Sequence, residues 1–159
     1  MTEILAHYSS TPLGTVRSVE QGPMSMKPRG LWVSVDSCED NWKTWCETEQ
    51  WALDELKHRH IITLAEDARI LRVSGEKGID SFTAEYGHPD TVEGTPVPGL
   101  SSTYDISWRR VAFRFQGIII APYVWSRRLH RETRWYYGWD CASGCIWDAK
   151  AIASVERVS

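Results

Sequence analysis

Several things are missing from this chain, and each absence narrows what it can be. No stretch approaches the roughly 18–20 consecutive apolar residues that a membrane-spanning helix needs, so membrane insertion is not expected. No Gly-x-Gly-x-x-Gly or Walker-type loop is present, which argues against a dinucleotide-binding dehydrogenase and a P-loop kinase. No Gly-x-Ser-x-Gly elbow marks a serine hydrolase. The chain has only four cysteines. Cys38 and Cys46, and Cys141 and Cys145, do not form the twice-repeated short knuckle of a structural zinc site, and no metal is expected. An excess of positive charge is lacking too. The net charge of −3 argues against a protein that coats nucleic acid with its whole surface. The start, Met1-Thr2-Glu3-Ile4-Leu5, has neither a basic region nor a long apolar one, so no signal peptide is expected. These features together predict a cytoplasmic protein with reduced thiols.

What is present is ordinary in amount and unusual in kind. The 159 residues, 42% of them hydrophobic, suit one domain with a real core. Tryptophan is the outlier, with nine in the chain. Four of them, Trp125, Trp135, Trp139 and Trp147, lie within residues 125–147, where they interleave with Arg127, Arg128, Arg131 and Arg134. Rings and guanidinium groups together can hold flat, anionic ligands such as nucleotides. The same rings can simply fill a core.

The patterning predicts strands at Ile4–Tyr8, Leu31–Val35, His60–Leu64, Arg69–Val73, Phe115–Ala121 and Cys145–Trp147, from β-branched and aromatic residues between turn signals. Helices are predicted over Asn41–Lys57, with Trp42, Trp45 and Leu53 inward, over Gly78–Tyr86, and over Ile106–Ala112. His88 to Tyr104, rich in proline and glycine, reads as a long loop. Ala149–Val155 reads as a strand or a helical turn. The order, strands then helices then strands, predicts a single α+β domain spanning residues 1–159. Its sheet is expected to be split and mostly antiparallel, with helices at its flanks.

Three short segments carry candidate chemistry. His7-Tyr8-Ser9 ends the first strand. Gly30-Leu31-Trp32-Val33-Ser34 forms the second, directly after the basic turn Lys27-Pro28-Arg29. Phe115-Gln116-Gly117-Ile118-Ile119 forms a late one. In this order they resemble the ADP-ribosyltransferase-like fold of diphtheria-toxin-type and poly(ADP-ribose)-polymerase-type enzymes. That resemblance implies NAD as the nucleotide, with His7 and Gln116 as catalytic positions. Trp32 stands where the family places its nicotinamide-stacking Tyr, and Gln116 where it places Glu. Trp keeps the stacking face and loses the hydroxyl. Gln can hydrogen-bond ribose but stabilises developing positive charge less well than a carboxylate. Polymer formation is therefore disfavoured, while mono-transfer, NAD hydrolysis and plain binding stay open. Glu132 or Asp140 is a candidate for the missing carboxylate.

The residues themselves allow the same chemistry. Cleaving the bond to nicotinamide needs a stacked base, a held ribose and an anchored diphosphate. Tyr8 and Trp32 offer rings, and His7 and Ser34 offer polar groups. Arg29, or the Arg127/Arg128 pair, offers bidentate phosphate binding. Two other functions fit the composition. The arginine-aromatic run from Trp125 to Tyr137 suits single-stranded nucleic acid, as ligand or as acceptor. A surface rich in tryptophan also suits a protein partner, either a protein acceptor or a host enzyme gripped as phage-encoded inhibitors do.

Overall fold

A computed structural model describes residues 2–89, 91–92, 95–96 and 103–158. It confirms an α+β domain with a mostly antiparallel sheet. Strand β1 (Leu5–Ser9) pairs antiparallel with β2 (Leu31–Val35) on one side and β3 (His58–Leu64) on the other. The sheet extends through β10 (Ser143–Ile146), β9 (Gly117–Ile120) and the edge strand β4 (Ile70–Val73). Strand β11 (Ile152–Arg157) forms the opposite edge, beside β3. Only the β4–β9 pair is parallel among the seven strands. Helices α1 (Trp42–Glu49), α2 (Gly75–Tyr86), α3 (Trp108–Arg114) and α4 (Trp125–Arg128) connect them.

Because side chains alternate across a strand, the register sorts this sheet into two faces. Ala6, Ser34, Ser143 and Ile120 form one row across four strands. That face meets α2, α3 and the 3-10 turn Arg131–Gly138 over an aromatic core of Phe82, Trp108, Trp135, Tyr136, Trp139 and Trp147. The opposite face is aliphatic, with Leu5, Val33, Val35, Ile62, Ile119 and Ile146 buried in a second cluster. Gly30 makes the entry to β2 possible. It adopts φ +150, and a Cβ there would lie 2.5 Å from the carbonyl oxygen of Ile146, so a larger residue would force the strands apart.

Several expectations need correction. The sheet is hydrogen-bonded continuously through all seven strands, where a split one was expected. The helix expected over 41–57 stops at Glu49. Gln50 and Ala52 both take left-handed backbone angles, φ 52 in each case, and end the helical path without a glycine. A short 3-10 turn, Leu53–Leu56, follows, and it turns Leu53 outward to 45% exposure. Cys46 is the buried residue of α1, while Trp42 and Trp45 are half-buried at the surface. The expected helix 106–112 begins later, because Thr103–Ile106 pairs with Gly87–Pro89 as strands β8 and β5. Residues 91–92 and 95–96 also pair, as β6 and β7, so the expected loop carries strands at both ends and within. Its remaining positions, 90, 93–94 and 97–102, lie outside the described residues. The chain's end combines both readings of 149–155, a 3-10 turn at Ala149–Ala151 leading into β11.

Candidate functional site

The first two strands part company halfway along. Their pairing runs Leu5↔Val35 and Ala6↔Ser34. At the next step the His7 imidazole reaches across, and its Nδ1–H donates to the Trp32 carbonyl at 2.7 Å. A side chain thus stands in for the next rung of backbone pairing, and a cleft of about 280 Å³ opens there. Ala6, His7, Tyr8, Trp32 and Ser34 line it from the two strands.

Each wall is held by the fold beneath it. His7 backs onto His60, with ring centroids 6.2 Å apart. The backbone N–H of Leu13 donates to His60 Nε2 at 3.0 Å, so Nδ1 carries the proton and donates to the His7 carbonyl at 3.2 Å. Burial, reinforced by the neighbouring His60 and opposed by the bond to Trp32, lowers the His7 pKa below its ordinary 6.5. At neutral pH this ring is therefore uncharged, with Nδ1 occupied as donor and Nε2 left as an acceptor. Tyr8 donates its hydroxyl to Asp36 at 2.6 Å, and Arg59 Nε donates to both groups at 3.1 and 3.0 Å. Burial first, and Asp36 second, push this phenol up to about 12. Tyr8 therefore contributes a fixed ring and no acid. Ser34 Oγ accepts the backbone N–H of Trp42 at 2.9 Å, which ties the start of α1 to the cleft and keeps the serine hydroxyl hydrogen free to donate.

Of the remaining walls, Asp140 was a candidate for the missing carboxylate, whereas Lys27 and Glu55 were not given a role in the sequence reading. Lys27 sits in the turn before Gly30, with its ammonium 4.7 Å from the centre of the Trp32 ring. Trp139 meets the same ring edge-on at 4.9 Å. Glu55 enters from the 3-10 turn after α1, and Asp140 from the loop before β10. Asp140 is paired with Arg128 at 3.2 Å, whereas Glu55 has no ion pair among the described residues. Lys27 could have been found from the basic turn that precedes the strand motif. Glu55 carried no signal, because a continuous helix would have placed it elsewhere.

The other expected residues lie away from the cleft. Gln116 is buried and acts as a clasp. Its Oε1 accepts the Arg69 backbone N–H at 2.8 Å, and its Nε2 donates to Asp148 at 3.0 Å. Arg29 is exposed, with its backbone N–H and carbonyl both bonded to the Gln21 side chain at 3.0 and 2.6 Å. Arg127 grips both oxygens of Asp80 at 2.8 Å. Arg128 lies over the rings of Trp45 and Tyr137, at 5.2 and 4.9 Å, and bonds Tyr123, Asp140 and the Trp139 carbonyl. Arg134 covers Tyr104 and bonds its hydroxyl. Glu132 is exposed in the 131–138 turn and does not line the cleft.

Two further points bound the chemistry. Burial pushes the Cys141 thiol up to about 12 and the Cys145 thiol higher still, so neither supplies a thiolate nucleophile at neutral pH. Among the described residues no group of histidine, cysteine and carboxylate side chains is arranged to hold a metal ion, and no helix is long and apolar enough to cross a membrane. Comparison with protein-family models, with curated proteins and with solved structures gives no match.

Proposed function

We propose that the cleft binds the nicotinamide end of NAD and that the protein is an ADP-ribosyltransferase-like enzyme acting by mono-transfer or hydrolysis. The observation that carries this reading is convergence. His7, Tyr8, Trp32 and Ser34 come from two segments more than twenty residues apart, and all four line one cleft. The chemistry of the walls fits the ligand. Trp32 already holds a cation against its ring, and oxidised nicotinamide is a flat cation suited to the same quadrupole. Glu55 and Asp140 add negative charge nearby. Lys27 is the cation placed to swing from Trp32 toward a diphosphate, the part expected of Arg29 or the Arg127/Arg128 pair. Four free thiols, three of them buried, suit a reducing cytoplasm.

When bound, NAD supplies the scissile bond between nicotinamide and ribose. The chain's residues do the rest. Trp32 stacks, and His7 Nε2 accepts a ribose hydroxyl proton in a hydrogen bond. Ser34 donates from its hydroxyl. Glu55 takes the carboxylate role that Gln116 cannot fill from its buried clasp, and it is the general base for the proton of the attacking nucleophile. Titration calorimetry with NAD, followed by an assay of nicotinamide release, tests this. Wild-type protein should bind and release nicotinamide. Glu55→Gln should bind similarly and release it about 100-fold more slowly or worse, the usual scale for loss of a general base. Absence of heat at millimolar NAD would remove the reading.

A further inference from the structure

A second surface, sharing no lining residue with the cleft, brings together Arg69, Arg109 and Arg114, three guanidinium groups without a carboxylate partner among the described residues. Helix α3 buries Trp108 and Val111 and turns the other side to solvent. Arg109 and Phe113 are four residues apart on that side, hence neighbours on the helix surface. Phe113 is 92% exposed, the largest value among the exposed large apolar residues described. The ridge they form borders two grooves, of about 520 and 380 Å³. Arg69 lines the first, and Arg110 and Arg114 line the second.

The local charges favour an anionic occupant. Elsewhere Arg59, Arg72, Arg127 and Arg128 each meet a carboxylate. On this surface only Arg110 does, at 3.7 Å from Glu85 with both side chains more than half exposed. Arg69, Arg109 and Arg114 have no carboxylate partner among the described residues. Arg114 bonds the Tyr86 hydroxyl at 3.3 Å and lies 5.7 Å from the Phe115 ring. Two acidic side chains face the first groove. Asp148 is held by Gln116, the Lys150 backbone and Ser18, and Glu20 stands exposed at the rim.

We propose that the Arg109–Phe113 ridge binds single-stranded nucleic acid, with a base stacked on Phe113 and phosphates on Arg69, Arg109 and Arg114. A ring standing clear of the surface offers an unstacked base a face to cover, and guanidinium groups on either side match a backbone running past it. In the run from Trp125 to Tyr137, by contrast, Arg127, Arg128 and Arg134 already have partners within the fold. The proposal is independent of the NAD reading of the cleft.

Fluorescence anisotropy with labelled twelve-nucleotide oligothymidylate and oligouridylate at low salt tests it, and the two arms separate DNA from RNA. Wild-type protein should bind at least one. Phe113→Ala should weaken binding about 5- to 150-fold, the scale of one base–ring stack, with an unchanged melting temperature. Arg109→Gln should reduce the slope of log affinity against log salt by about 0.7, while Arg127→Gln leaves both readings alone. Absence of binding by the wild type overturns the proposal. So does binding that survives Phe113→Ala unchanged, or that oligoglutamate displaces as well as unlabelled oligonucleotide does, since bare charge or an acidic peptide would then suffice.

Discussion

The chain uses tryptophan in two ways, and the indole N–H tells them apart. Trp108, Trp135 and Trp147 are almost fully buried, and each N–H has a built-in acceptor: the Ser25 carbonyl at 3.0 Å, Thr83 Oγ1 at 2.9 Å and the Phe115 carbonyl at 2.8 Å. Trp32 and Trp42 line the cleft, half-buried, with no acceptor for the indole among the described residues. Trp139 stands between the groups. It is 1% exposed like the core trio, yet its buried N–H has no partner among the described residues, and its ring meets Trp32 at 4.9 Å. A tryptophan that packs a core needs its one donor satisfied there. One that presents a face to a ligand leaves that donor to solvent.

Truncation should separate the two sets most clearly. Trp108→Ala removes a ring at 0% exposure that packs against Phe82, Trp135 and Trp147. It also leaves the Ser25 carbonyl without its donor. A loss of about 3–5 kcal/mol is expected, a large share of the roughly 5–15 kcal/mol typical of a domain. Urea denaturation measures it. A loss below about 1 kcal/mol would deny Trp108 its place in the core.

Trp32→Ala should do the reverse. It removes a half-buried ring, so its cost in urea stability should be well under that of Trp108→Ala. Its cost in NAD affinity should be about 1–3 kcal/mol, on the scale of base–aromatic stacking. Calorimetric titration of this variant beside the wild type checks both sides. Equal losses in stability and affinity would return Trp32 to the packing group.

A finer test keeps the rings and removes only the polar edge. Trp135→Phe leaves Thr83 without its donor, although that hydroxyl still donates to the Ile79 carbonyl at 2.7 Å. Trp139→Phe deletes a buried donor that has no acceptor to lose. Both substitutions lose similar ring volume. The difference between them should therefore approximate one hydrogen bond, about 1 kcal/mol, with Trp139→Phe the milder. Thermal melts of the two variants, compared with each other, give that difference directly.

The same contrast explains what the sequence could reveal. Strands β1, β2, β3, β4, β9 and β10 were legible, because their β-branched runs sit between turn residues. The strand positions of His7 and Trp32 were legible for the same reason, since each belongs to a strand motif. Glu55 was hidden by the breaks at Gln50 and Ala52, which have no glycine or proline to announce them. The arginines near the end looked available because their partners, Asp80, Trp45 and Tyr104, are remote in sequence and meet them only once the chain is folded. Gln116 was expected at the site because it stands where the resemblance places a glutamate. Its amide serves instead to join Arg69 to Asp148.

The smallest expected effect concerns the imidazole that bridges the two strands. His7 has a folded pKa below its unfolded value near 6.5, chiefly through burial. Below that pH the unfolded chain binds a proton that the folded chain resists. The stabilisation is therefore complete above about 6.5 and is lost as pH falls through the folded value. His7→Gln keeps a donor for the Trp32 carbonyl and removes the titration. Stability of the wild type should fall more steeply than that of the variant between pH about 7.5 and 5, and the difference isolates His7 from every other titrating group. In the cleft the same proton matters differently. Protonation converts Nε2 from acceptor to donor and places a positive charge beside a cationic ligand, so NAD affinity should hold steady from neutral pH upward and weaken on the acid side. Urea titrations at several pH values measure the first effect, and calorimetry measures the second. Parallel curves for wild type and His7→Gln would show that folding leaves the proton affinity of the imidazole unchanged, and an NAD affinity that does not weaken on the acid side would remove the Nε2 acceptor assigned to ribose.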